Sequence, residues 1–184
     1  MTILLVGVIL FIGIHIVPMI VPLRALLKEN LSDRGYQGLF SLFALAGLII
    51  MIYGKAEADF VHIWSPPYWS RYLAWVVMLP ALFLIVAANL PGNIKRMTPH
   101  PMMWAVLLWG SVHLFANGDL ASMILFGSMA GFACIHIVSA NSRGASNQVD
   151  VLPITADLKV VAIAIVVYLI IASAHSFLFK VSAF

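Results

Sequence analysis

The sequence predicts an all-α fold, a polytopic membrane helix bundle of about six transmembrane helices. Of the 184 residues, 63% are hydrophobic and only 9% are charged, whereas about 25% of residues are charged in an ordinary soluble domain. The apolar residues are gathered in runs close to the ~20 residues that a helix needs to cross a ~30 Å hydrocarbon core. Only short polar segments separate these runs. The chain is therefore predicted to be a single integral membrane domain over residues 1–184.

Six spans can be drawn from the apolar runs. They cover residues 3–22, 36–53, 71–90, 101–117, 120–140 and 158–179. The first run lacks a basic leader and is longer than the apolar part of a signal peptide, so we expect a retained span. Segment 54–70 is too polar to span, and its prolines among Trp and Tyr residues favour a position along the membrane surface. Cys134 lies within an apolar run and is expected to be a small buried hydrophobe.

Lysine and arginine are distributed unevenly between the two sides of the predicted bundle. Seven of the ten lie in the first, third and fifth loops or at the next helix start: Arg24, Lys28, Arg34, Lys95, Arg96, Arg143 and Lys159. The other three, Lys55, Arg71 and Lys180, fall on the opposite side. Short cytoplasmic loops are enriched in Lys and Arg, so both termini are predicted to be periplasmic. No basic cluster indicates nucleic acid as a partner.

Small residues recur inside the predicted spans, where they let helix backbones approach closely. They are Gly7, Gly13, Gly47, Gly110, Gly127 and Gly131. The last two have the small-xxx-small spacing typical of helix packing in membranes. Between the fourth and fifth spans, Gly118 is expected to supply a positive φ in a tight turn, and Asp119 to cap the next helix.

Histidines are the main ionisable groups at membrane depth, where polar groups are functional candidates. His15, His113, His136 and His175 fall within predicted spans, whereas His62 is expected at the surface. Each one taken alone is more simply explained by a hydrogen bond to a neighbouring helix. Four together favour a cofactor, and haem is the simplest one, because the spans contain neither a zinc-type Cys/His spacing nor the carboxylates of a di-iron centre.

The rise of each helix places these histidines at different depths in the membrane. Depth alone does not select the two that would bind the iron. At ~1.5 Å per residue, His113 lies about 6 Å to the periplasmic side of its span's centre and His15 about 4 Å to the cytoplasmic side. A haem between the first and fourth helices could take one ligand from each. His175 lies on the periplasmic half, and His136 lies deeper on the cytoplasmic half. His100 precedes a proline at a helix start, where a capping or structural role is favoured.

Several motifs resemble those of the NnrU family, whose plant relatives include the 15-cis-zeta-carotene isomerase. They are G-I-H-I-V in the first span, L-P-G-N-I-K-R after the third, H-P-M and H-L-F-A-N-G-D around the fourth, and the terminal A-H-S-F-L-F-K-V-S. The resemblance covers nearly the whole chain. It implies haem b held by His15 and His113. One position departs from the isomerase branch, which has a cysteine three residues before the second histidine, where this chain has Gly110.

The resemblance implies a haem b-binding protein of the bacterial inner membrane, associated with nitrite and nitric oxide metabolism in denitrification. Two alternatives remain open: a haem-dependent cis-trans isomerase of a carotenoid or another lipid-soluble polyene, and a non-catalytic accessory subunit of a larger membrane complex. The expected partners are the lipid bilayer, other subunits or a small hydrophobic substrate. Asn117 and His175 are predicted to support the cofactor site, Asn117 by orienting His113 and His175 by binding a propionate or the periplasmic turn. Direct ligation of the iron by His175 is the alternative.

Overall fold

The computed structural model describes residues 1–179, and helices account for most of them. The α-helices are α1 (Thr2–Ile16), α2 (Val21–Ala56), α3 (Ser70–Asn89), α4 (Pro101–Ala116), α5 (Leu120–Ser142) and α6 (Ile154–Phe179). Two short 3-10 turns, Val17–Met19 and Asn93–Arg96, follow α1 and α3. Within the described range the only β-type pairing is an isolated bridge between His62 and Asp119. The predicted all-α bundle of six helices is confirmed.

The surface of the bundle is apolar, as expected of a protein that lies in lipid. Five helices are long and apolar enough to cross a membrane, and α4, with 16 residues, is shorter. Large apolar side chains point outward, among them Ile9, Val76 and Val138, each about 70% exposed. A soluble monomer rarely exposes contiguous apolar surface on this scale. The chain is therefore a membrane protein.

The helices pack in the order α2, α1, α5, α4, α3 and α6. Successive helices run in opposite directions because the connections between them are short. We call the end that carries Arg24, Lys95 and Arg143 the basic end, and the end that carries residues 117–119 the turn end. Lys180, which the sequence assigns to the turn end, lies outside the described residues.

Helices α1 and α2 pack backbone to backbone through glycines. A Cβ atom on Gly7 would overlap the main chain of Met51, and one on Gly47 would meet Phe11. Gly54, near the end of α2, meets the main chain of Leu4 in the same way. The three contacts pair residues in antiparallel order, and the predicted role of Gly7 and Gly47 is confirmed.

Gly7→Ala should destabilise the bundle by about 2 kcal/mol, because the added methyl group forces the two helix backbones apart. The close approach predicted for Gly13 is wrong, because nothing lies within 4 Å of its Cβ position, and Gly13→Ala is therefore the matched control on the same helix. That variant should be neutral or slightly stabilising, because alanine is the better helix former. Thermal unfolding of the detergent-solubilised variants measures the difference. Equal stability of the two variants would contradict the close packing of α1 on α2.

Two predictions about α5 are wrong. Neither Gly127 nor Gly131 makes a close helix contact, since only a leucine side chain at 3.9 Å approaches the first and nothing lies within 4 Å of the second. The face of α5 that meets α4 contains Phe126 and Ala130 instead. Cys134 is exposed on the outer surface of α5 rather than buried. An apolar run is compatible with either face of a membrane helix, so sequence alone did not distinguish them.

The predicted first loop is mostly helical. Residues 21–31 form a helix with Pro22 in its first turn, where proline is favoured. The helix continues through good helix formers such as Leu, Ala, Lys and Glu. Ser32 interrupts it with φ 62° and ψ 165°, and a second helical segment continues to Ala56. The Ser32 hydroxyl accepts a hydrogen bond from the Gly35 N–H at 3.3 Å, so this serine caps the second segment.

Candidate functional site

The histidines divide between the two ends of the bundle. His15 in the last turn of α1, His100 at the start of α4 and His136 towards the end of α5 lie at the basic end. His113 in the last turn of α4 and His175 near the end of α6 lie at the turn end. This separation follows from the alternating direction of the helices.

His15 is held by its own helix. Its Nδ1 atom lies 2.6 Å from the carbonyl oxygen of Phe11, four residues earlier. A carbonyl oxygen can only accept, so Nδ1 carries the proton and Nε2 keeps its lone pair. The ring packs among Phe11, Phe40 and Phe132, with centroid distances of 4.3, 5.1 and 5.8 Å. The imidazole therefore has a fixed orientation and an available nitrogen donor.

His113, on α4, is oriented by the same kind of contact as His15. Its Nδ1 lies 2.8 Å from the carbonyl oxygen of Trp109, again four residues earlier, so Nε2 keeps the lone pair. The ring packs on Trp109 and Phe126, with centroid distances of 5.5 and 4.7 Å. A hydrogen bond from the second ring nitrogen to a carbonyl is the usual way in which metal-binding histidines are oriented.

Asn117 does not contact the imidazole of His113. Its Nδ2 donates to the main-chain carbonyl oxygen of His113 at 2.8 Å, and the same oxygen accepts from the Asn117 N–H at 3.0 Å. The carbonyl of Asn117 in turn accepts from Trp64 Nε1 at 3.2 Å. The residue therefore caps α4, and the orienting role that the sequence predicted for it belongs to the carbonyl of Trp109.

His100 and His136 face each other at the basic end, with ring centroids 6.4 Å apart. His100 is buried, and its Nε2–H donates to Asn141 Oδ1 at 2.7 Å. It stands at the N-cap position of α4, yet its side chain links α4 to α5 and does not cap. His136 packs on Phe132, and its Nδ1 is buried without a hydrogen-bond partner among the described residues. Both histidines line a cavity of about 210 Å³, and Lys95 is another of its lining residues.

The remaining two histidines lie at the turn end. His62 is exposed and lies 3.1 Å from the hydroxyl of Ser65, which agrees with the surface position predicted for it. His175 lies close enough to His113 for the two imidazoles to interact electrostatically. Its predicted contact with a propionate stays a prediction.

The structure does not bring His15 and His113 into contact. Both rings touch α5, but His15 touches Phe132 and His113 touches Phe126. Six residues correspond to about 9 Å along the helix axis, whereas two axial nitrogens on one metal lie about 4 Å apart, since each bond is about 2 Å long. No group of three or more His, Cys, Asp or Glu residues is arranged to hold a metal ion in the part of the chain that is described. Haem requires only one or two axial ligands.

Gly110 of α4 packs closely against α5. A Cβ atom there would approach the carbonyl oxygen of Phe126 at 2.8 Å and the Cβ of Ala130 at 3.0 Å. The backbone of α5 therefore occupies the space that a thiol would need. Glycine at this position permits the contact between α4 and α5.

Asp119 organises the turn end. Its carboxylate accepts from the Ser122 N–H at 2.9 Å and the Ser122 hydroxyl at 2.5 Å, so its predicted role as the cap of α5 is confirmed. Lys55 Nζ, at the end of α2, donates to the same carboxylate at 2.8 Å. Burial raises the pKa of Asp119, but hydrogen bonds from Lys55 and Ser122 outweigh it and hold the pKa below its usual value.

Segment 57–69 folds over this turn. The Ile63 and Trp64 N–H groups donate to the carbonyl oxygen of Gly118 at 2.8 and 3.1 Å, and the Leu120 N–H donates to Val61. The φ angle of Gly118 is not positive, contrary to expectation. Glycine is needed because a Cβ atom would overlap the carbonyl oxygen of Trp64. Sequence reasoning missed both this crossing and Lys55, because neither has a local periodic signal.

Comparison with known proteins identifies the family. A family model described as NnrU protein matches residues 3–183, nearly the whole chain. No curated protein and no solved structure matches. The chain belongs to the NnrU family.

Proposed function

We propose that this protein binds haem b and that His15 and His113 would hold its iron through their Nε2 atoms. The two rings contact α5 about 9 Å apart along its axis, so binding would require them to move closer together. The observation that supports the proposal is the hydrogen-bond pattern that the two histidines share. Each Nδ1–H donates to the carbonyl of an aromatic residue four positions earlier, which fixes the ring and leaves Nε2 with its lone pair. Neutral imidazole is the usual haem ligand among protein side chains.

The donor chemistry of these residues fits the cofactor. Apolar and aromatic side chains surround each imidazole, and such surroundings exclude water and tune the properties of a metal site. When bound, haem would supply one-electron chemistry, and nitric oxide would reach the iron by displacing one of the two histidines. The chain contributes the two nitrogens, their orientation and the aromatic walls formed by Phe40, Trp109, Phe126 and Phe132. A role in nitrite and nitric oxide metabolism is consistent with this chemistry.

The purified, detergent-solubilised protein should show a Soret band in oxidised and reduced spectra. His15→Ala and His113→Ala should each remove the band or reduce haem content at least tenfold, because each loses a nitrogen ligand. His62→Ala is the matched control, since that histidine is exposed. Unchanged haem content in both ligand variants would refute the assignment, and His113 with His175 would be the next pair to test.

Carotenoid isomerisation is the second candidate function. Gly110 argues against a mechanism that uses a cysteine at this position. Packing of Gly110 on α5 leaves no room for the thiol of the isomerase branch. Expression in carotenoid-producing cells that lack their own isomerase distinguishes the two functions. Restored isomerisation would favour the second candidate, and a haem spectrum that responds to nitric oxide without restored isomerisation would favour the first. Absence of haem would instead favour an accessory subunit.

We also propose that the basic end faces the cytoplasm of a bacterial cell, with both termini in the periplasm. Seven of the ten Lys and Arg residues lie at or beside that end, and cytoplasmic loops are enriched in them. A periplasm-specific reporter fused after Phe184 should be active, and one fused in segment 141–153 should be silent. The reverse pattern would refute the orientation.

A further inference from the structure

A second cavity, open to the surface, lies at the basic end, between the end of α1 and the first half of α2. Its volume is about 260 Å³. It is lined by Pro18, Arg24, Tyr36, Gln37, Phe40 and Ser41. None of these residues belongs to the proposed set of haem ligands, although the ring of Phe40 contacts His15.

The break in α2 at Ser32 brings the walls of this cavity together. Arg24 and Ser41 are 17 residues apart, and on a straight helix they would lie about 25 Å from each other. That distance far exceeds the width of a cavity of about 260 Å³. The positive φ of Ser32 redirects the chain, so that Arg24 reaches the same space as Tyr36 and Ser41.

The polar groups in this cavity are suited to an oxyanion. Tyr36 is 8% exposed, and its buried hydroxyl has no hydrogen-bond partner among the described residues. Such a group is normally paired, so an absent partner is indicated. Arg24 adds a fixed positive charge with a forked set of donors that matches phosphate and carboxylate. Gln37 and Ser41 supply further donors beside it.

Charges near the cavity are compatible with an anion. The carboxylate of Asp33 is close enough to Arg24 for the two charges to interact. It is already paired with Lys28 at 2.6 Å, so its charge is largely compensated. Pro18 and Phe40 provide apolar walls beside the cation, and this combination fits an amphiphile better than a free ion.

We propose that this cavity binds the phosphate group of an anionic phospholipid. The cavity lies beside the end of α1, at the basic end of the bundle, where the headgroups of the surrounding lipid would lie. Basic pockets between membrane helices are typical sites for anionic headgroups. Arg24 would pair with the phosphate, the hydroxyl of Tyr36 would donate to one of its oxygens, and Phe40 and Pro18 would contact the glycerol and the first acyl carbons.

Titration of the full-length detergent-solubilised protein with phosphatidylglycerol tests the proposal, with bound lipid counted by native mass spectrometry. Arg24→Gln and Tyr36→Phe should each raise the half-saturating lipid concentration about tenfold, because each removes a hydrogen bond to a charged group. Arg34→Gln is the control, since it removes the same charge from an exposed position outside the cavity. It should bind as the unmodified protein does.

Two further titrations identify the source of the anion. Phosphatidylcholine should bind at least tenfold more weakly than phosphatidylglycerol, and inorganic phosphate should compete only at far higher concentration. Equal binding of phosphatidylglycerol by Tyr36→Phe, Arg24→Gln and Arg34→Gln would overturn the proposal. Tight binding of inorganic phosphate with no preference for the lipid would overturn it in favour of a soluble oxyanion. Should Arg24→Gln fail to fold, Tyr36→Phe decides the question alone, because it removes a single oxygen atom.

Discussion

Gly118→Ala should prevent the turn end from forming, at a cost of about 3 kcal/mol or more. The new methyl group would overlap the carbonyl oxygen of Trp64 and contact the ring of Pro66. Relief requires segment 57–69 to lift away from the turn. That movement would also break the hydrogen bonds that Ile63 and Trp64 donate to the carbonyl of Gly118. The variant should unfold at a much lower temperature and give little monodisperse protein.

Gly131→Ala is the matched control for this experiment, because it makes the same chemical change on α5 where nothing lies within 4 Å. It should be neutral or slightly stabilising, since alanine favours helix more than glycine does. Thermal unfolding and size-exclusion chromatography in one detergent compare the two variants. A Gly118→Ala protein as stable as Gly131→Ala would show that segment 57–69 does not cross the turn as described.

Spans were predictable from the sequence because membrane helices are long and uniformly apolar. Five predicted spans, 36–53 to 158–179, fall within or nearly within observed helices, whereas the first ends too late because the chain passes into a 3-10 turn at Val17–Met19. The helix over residues 21–31 was missed, since its charges resemble those of a loop when only hydropathy is considered. Its helix-forming residues and Pro22 were the available signal.

The candidate site was predictable only in part. Histidine at membrane depth gave four candidates, and the choice of His15 and His113 among them came from the family resemblance and stays a prediction. The cap at Asp119 followed from its position after a glycine and is confirmed. The partners could not be deduced, because Lys55 and Asp119 are 64 positions apart. Local periodicity carries no information on which distant helix ends meet.

Asp119→Ala should destabilise the bundle by about 3 kcal/mol. The substitution removes the cap of α5, which is worth about 1 kcal/mol, and leaves Lys55 without its counter-charge in a partly buried position. Lys55 remains 31% exposed, so water compensates part of that loss. Asp119→Asn should cost less, because its amide oxygen can still accept from the Ser122 N–H while the charge is lost. A double-mutant cycle with Lys55→Met isolates the contribution of the ion pair.

The same carboxylate should make stability depend on pH. The pKa of Asp119 is lower in the folded protein than its usual value, because the hydrogen bonds from Lys55 and Ser122 outweigh the opposing effect of burial. A group with a depressed pKa contributes its full stabilisation above its unfolded pKa, about 3.9, and loses it as pH falls through the folded pKa. Thermal unfolding of the unmodified protein should therefore shift to lower temperature below about pH 4. Asp119→Asn should lack that part of the acid-dependent loss, and an identical pH profile in both proteins would show that the Lys55 ion pair does not stabilise the turn end.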